Sequence, residues 1–123
     1  MALTISDDSY EVRLPKGTSG TLKIDKVVDG VATDFIDGEF VYLQVKATID
    51  APAVITKAVS MFVDGDAYIE FDNTDTSSLD AGDYFYDILW KETDGDLIRL
   101  IPTDEADCHL PNFIICAVVT TDV

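Results

Sequence analysis

Four Asp-Gly pairs punctuate this chain: Asp29-Gly30, Asp37-Gly38, Asp64-Gly65 and Asp94-Gly95. Asp-Gly suits turns that need positive φ, and such turns join antiparallel strands. The runs between them are short, rich in Val, Ile, Tyr, Phe and Thr, and alternate with period two. That pattern predicts strands over Tyr10–Leu14, Gly20–Val28, Glu39–Thr48 and Val54–Val63, the last with a kink. Further strands are expected over Tyr68–Phe71, Tyr84–Lys91, Leu97–Ile101 and Phe113–Val119. Alternation turns Leu22, Ile24, Val41, Leu43, Val45, Ile69 and Phe71 toward a core, and likewise Tyr84, Tyr86, Ile88 and Trp90. The segment Asp72–Leu79 differs: it opens with cap-type residues and reads as one helical turn anchored by Leu79. No stretch sustains a 3.6-residue apolar period. The expected fold is therefore all-β, an antiparallel sandwich of about seven to nine strands in one domain spanning residues 1–123.

A chain of 123 residues with 47% hydrophobic content can bury a core without disulfides or metals. Its longest apolar run, Phe113 to Val119, is far too short for a membrane-spanning helix. The opening MALTISDDSY has no basic stretch followed by an apolar one, so no signal peptide is expected. Synthesis in a reducing compartment follows, with Cys108 and Cys116 as free thiols.

The net charge of −16 is unevenly distributed: residues 1–60 hold 9 acidic and 6 basic side chains, residues 61–123 hold 15 and 2. Such acidity repels phosphate backbones and anionic lipids, so neither nucleic acid nor membrane is an expected partner. It also keeps an apolar β domain soluble.

The stretch AYIEFDNTDTSSLDAGDYFYDILWKETDGDLIRLIP, residues 67–102, carries a recognisable order of features. A strand leads into an Asp-Thr helical turn (Asp75, Thr76), then Leu79, Gly82, the Tyr84-x-Tyr86-Asp87 strand and the Asp94-Gly95 hairpin. This order resembles Ig-like domains of phage and prophage virion structural proteins. It is similar to the N-terminal domain of the baseplate upper protein of some phages of Gram-positive hosts. GTLKIDKVVDGVATDFIDGEFVYLQVK looks like the first part of that domain and FIICAVVT like its last strand. The resemblance implies an Ig-like sandwich and a virion location, as a head, tail or baseplate component. It also implies partners that are other virion proteins or further copies of the chain. Its motifs are structural. Gly82 permits a tight turn, Tyr84 and Tyr86 fill the space between sheets, and Asp87 is expected to accept backbone hydrogen bonds near the helical turn.

Catalytic chemistry is not expected. The only histidine, His109, adjoins Cys108, and neighbours on a strand point to opposite faces. No phosphate loop or His-x-x-x-His pair is present, and no cofactor is expected. Among 24 acidic residues no carboxylate pair is singled out. Asp64-x-Asp66, Asp94-x-Asp96 and Asp72-Asn73-x-Asp75 place oxygens in turns and would suit calcium only if several loops converged. No metal is expected to be required. Four aromatics, Phe40, Tyr42, Tyr68 and Phe85, alternate away from the core and are the candidate interaction surface. The less charged N-terminal half is expected to make the main contacts. A second reading is a carbohydrate- or cell-surface-binding sandwich, with calcium as an optional stabiliser; it requires a concave aromatic platform.

Overall fold

The computed structural model describes residues 1–6, 9–28, 30–101 and 110–120. The strands are β1 (Ala2–Leu3), β2 (Val12–Pro15), β3 (Gly20–Ile24), β4 (Lys26–Val28), β5 (Val31–Thr33) and β6 (Phe40–Lys46). They continue as β7 (Ala53–Val59), β8 (Ala67–Phe71), β9 (Gly82–Lys91), β10 (Leu97–Ile101) and β11 (Asn112–Cys116). One helical turn, α1 (Thr74–Ser77), links β8 to β9. Among the described residues the eleven strands exceed the expected number for three local reasons: β1 adds a two-residue edge, the expected Gly20–Val28 strand breaks at Asp25 into β3 and β4, and β5 is an unexpected partner for β4.

Two sheets face each other. The larger runs β2-β11-β9-β6-β7, with β10 also on β9; the smaller runs β1-β3-β8. β6 lies along β9 from Phe85 to Lys91. The other edge of β9 is shared, with β11 beside Gly82–Phe85 and β10 beside Ile88–Lys91. The hairpin β4-β5 stands apart as a two-stranded arm with Val27, Val28 and Val31 exposed.

Two pairings depart from the antiparallel expectation: β2 runs parallel to β11 and β1 parallel to β3. Asp-Gly signals report only strands joined by tight turns. These partners are remote or lack a hairpin between them, so alternation and turn chemistry carried no information about their direction.

The expected inward faces hold. Val41, Leu43, Val45 and Ile88 are fully buried, as are Val12, Leu14, Ile69 and Phe113. Phe71 of the small sheet meets Phe113 of the large one at 5.5 Å between ring centroids, which ties the layers together. Gly30, Gly38, Gly65 and Gly95 all have positive φ, as Asp-Gly turns require. At Asp64-Gly65 both central residues do, with φ of 50° and 80°, which is a type I′ hairpin turn. A Cβ on Gly65 would also lie 2.3 Å from the Asp34 side chain, so no other residue fits there without rearrangement.

The corner between the sheets is built from side chain to backbone. Thr76 in α1 is buried and its Oγ1 accepts the Gly17 N–H at 2.8 Å. Leu79 packs partly buried against the core, as expected. Tyr84, at the start of β9, donates its hydroxyl to the Asp80 carbonyl at 2.8 Å. Tyr86 donates to the Tyr10 carbonyl, and burial pushes its phenol pKa far above the ordinary value. Two packed sheets, a helical crossing turn and a tyrosine bonded back to the preceding corner are features of an Ig-like β-sandwich. Among the described residues no helix is long and apolar enough to cross a membrane.

Candidate functional site

The outward face of the large sheet gathers the features that could recognise a partner. Cross-strand register sets its layout. Phe40 lies opposite Lys91, Tyr42 opposite Leu89, Gln44 opposite Asp87 and Lys46 opposite Phe85. β7 extends these rows with Ala58 beside Tyr42 and Thr56 beside Gln44. On the far side Arg99 pairs with Leu89 and Leu97 with Lys91. Residues opposite each other on antiparallel strands share a face, so the rows form one surface.

Phe40 is 37% exposed and stacks on half-buried Tyr42, with centroids 6.0 Å apart and rings inclined by 13°. Phe85 is half-buried two rows away. Between them lies a concavity of about 460 Å³, whose walls include Tyr42, Phe85, Leu89, Lys46, Asp87 and Arg99. That volume falls in the range of small-ligand or side-chain-anchor pockets. Asp87 does not serve the helical turn as expected. Its Oδ2 lies 3.4 Å from Arg99 Nε across the strand pair, because register brings β10 alongside β9 on this face.

Three of the four aromatics named from sequence therefore share one face. Tyr68 does not join them. It is 37% exposed on the opposite side of the sandwich, where it pairs in register with Lys23 on the small sheet.

The charge pattern also differs from the one expected. β9 of the acidic half sits in the middle of the large sheet against β6 of the less charged half, so charge does not divide by sequence halves. The outward strands carry Arg13, Lys46, Lys91 and Arg99, four of the chain's eight cations. Among the described residues of these strands and the adjoining Glu11, three carboxylates oppose them: Glu11, Asp83 and Asp87. These described strands thus carry four of the eight cations of a chain whose net charge is −16.

Two of the acidic turns with oxygens suited to calcium are answered by the protein's own ammonium groups. Lys23 Nζ lies 3.5 Å from Asp66 and 3.7 Å from Asp25. Burial, the hydrogen bond that its protonated form donates to Asp66, and the Asp66 charge raise the pKa of Asp25 above the usual carboxylate value. Lys57 Nζ lies 2.8 Å from Asp75, and Asp72 accepts the Thr74 hydroxyl and N–H, which lowers its pKa. The third turn brings carboxylate oxygens of Glu92, Asp94 and Asp96 within 4.8 Å of one another. Asp94 there accepts the Asp96 N–H at 3.0 Å, ordinary turn chemistry. Cys108 and His109 lie outside the described residues; Cys116 is a half-buried free thiol.

Sequence inspection missed one buried polar cluster. Lys26 and Glu39 are each only 4% exposed, with Nζ and Oε1 3.3 Å apart. Glu39 also accepts the Ile36 N–H and Trp90 Nε1–H, both at 2.8 Å. The ammonium lies 4.0 Å from the Trp90 ring centroid and 5.0 Å from that of Phe35. The signal was present in the residues. Lys26 continues the Leu22-Ile24 parity, and Glu39 precedes Val41 by two. The cluster is buried against Phe35 and Trp90.

No protein-family model matches this chain, and no curated protein matches it. Among solved structures the chain is similar to murine CRIg, at 14% identity and a TM-score of 0.42, covering 95% of this chain and 97% of that one. Likeness at that level carries nothing about what this chain binds.

Proposed function

We propose that this protein is a non-enzymatic assembly module, a structural component of a phage-type particle, that docks through the outward face of its six-stranded sheet. The observation that carries the reading is the stacked Phe40–Tyr42 pair standing on an exposed sheet face beside Phe85 and Leu89. Exposed aromatic surface is costly to leave in water and is enriched where proteins meet. The order of motifs over residues 67–102, which resembles virion Ig-like domains, supports a particle setting. Such components act in many symmetric copies, so modest docking at each face is sufficient.

The test is substitution on the face. Phe40→Asp and Tyr42→Asp should keep the melting transition near that of the parent chain, since neither side chain is in the core. Each should reduce incorporation into particles, or self-association by sedimentation, by about tenfold or more, as for loss of an interface anchor. Collapse of folding in both variants would refute the assignment of this face. A parent chain that stays monomeric and never enters particles would refute the assembly role.

One observation favours a second reading. The concavity sets Tyr42 and Phe85 beside Gln44, Thr56, Asp87 and Arg99, the concave aromatic platform with polar walls that a sugar-binding sandwich requires. Binding of cell-wall polysaccharide that is lost in Tyr42→Ala, with particle incorporation intact, would select it.

A further inference from the structure

We infer that the concavity on the outward face receives an acidic segment of a partner protein, with an aromatic or large aliphatic side chain seated against Tyr42, Phe85 and Leu89 and neighbouring carboxylates meeting Lys46 and Arg99. This rests on the docking reading and adds the chemistry of the occupant.

Charge complementarity is the argument. Half of the chain's cations lie on the strands of this one face. Three of the other four are committed elsewhere: Lys26 is buried against Glu39, Lys57 is held by Asp75, and Lys23 lies between Asp25 and Asp66. Among the described lining residues of the concavity, Lys46 and Arg99 face a single carboxylate, Asp87. Fields of exposed charges decay over about 8 Å at physiological ionic strength, so a segment seated in the concavity responds first to Lys46, Arg99 and Asp87, two cations against one carboxylate, rather than to the net charge.

The geometry suits the same ligand. Register puts Lys46 beside Phe85 and Arg99 beside Leu89, so each cation borders an apolar wall. A long cationic side chain can lay its methylenes along such a wall and keep its charged end at the rim. Asp87 holds Arg99 from below, yet a guanidinium has five donors and one carboxylate cannot use them all. The remaining fork is suited to a second carboxylate. A basic partner would set like charges together at Lys46 and Arg99.

The experiment uses the full chain, labelled with ¹⁵N, and three capped pentapeptides: Glu-Asp-Phe-Asp-Glu, the same with Ala for Phe, and Lys-Lys-Phe-Lys-Lys. The acidic Phe peptide should shift amides around Tyr42, Phe85, Leu89 and Arg99, and added salt should weaken it. Lys46→Gln and Arg99→Gln, checked for an unchanged melting transition, should each weaken it by up to about fivefold, as expected for exposed charge pairs. Lys46→Glu should move the preference toward the basic peptide. Equal binding of the basic peptide or of the Ala peptide would overturn the inference. Failure of all three peptides, with the same amides shifting on dilution of the protein, would make the occupant a second copy; that overturns the acidic segment and leaves the docking face standing. Failure of all three with no dilution response would remove both.

Discussion

Replacing Glu39 should be the most damaging single change at the polar end of the core. Its carboxylate accepts three donors: the Lys26 ammonium at 3.3 Å, the Ile36 amide at 2.8 Å and the Trp90 indole at 2.8 Å. Glu39→Ala leaves all three without that acceptor, and one of them is a cation only 4% exposed. Removing one partner of a buried ion pair costs about 3–5 kcal/mol, because the other charge stays desolvated. The orphaned N–H groups push the total toward the upper end of that range. For 123 residues the entropy of unfolding corresponds to about 4 °C per kcal/mol, so the melting transition should fall by about 12–20 °C. Urea denaturation would measure the change as a shifted midpoint with an unchanged slope. Lys26→Met should cost less, about 3 kcal/mol, since Glu39 keeps two N–H donors. The double variant Lys26→Met with Glu39→Gln removes both charges and keeps an acceptor for Trp90. It should be more stable than the sum of its singles by about 2 kcal/mol. Additive losses, or a loss below about 1 kcal/mol in Glu39→Ala, would mean that water reaches the pair and that the core does not close there.

Three further outcomes follow from the same geometry. Tyr84→Phe removes the hydroxyl that reaches the Asp80 carbonyl and should cost about 1 kcal/mol by urea unfolding; no change would show that water replaces it freely. Partial burial in its turn, together with the carboxylates of Asp94 and Asp96, raises the pKa of Glu92 in the folded state. The folded state then binds the proton more tightly than the unfolded chain, so the penalty is present above the raised pKa and gone below the ordinary carboxylate value. Glu92→Gln should therefore raise the melting temperature at pH 7 and make little difference near pH 4, a trend that thermal melts across pH would contradict if the gain grew on acidification. Chelator should leave the melting temperature unchanged, because twenty buried hydrophobic side chains among the described residues close a core through apolar contact; a large fall would reveal a structural ion.

Features that depend only on residues adjacent along the chain were legible before any fold was known. Asp-Gly pairs favour positive φ wherever they stand, so turns such as Asp64-Gly65 were legible in the residues alone. Alternation assigned Val41, Leu43 and Val45 inward and Phe40 and Tyr42 outward, since side chains on a strand have a period of two regardless of what packs on them. The same rule, followed past Ile24 and back from Val41, would have exposed the buried Lys26–Glu39 pair. Tertiary structure decided everything that depends on which strands become neighbours. The parallel pairing of β2 with β11, the placement of Arg99 beside Leu89 and Asp87, and the separation of Tyr68 from the other aromatics are matters of register between distant segments. The gathering of cations onto one face of an acidic protein is of the same kind. It arises because β6, from the first half of the chain, and β9 and β10, from the second, lie side by side, and no count along the chain contains that information.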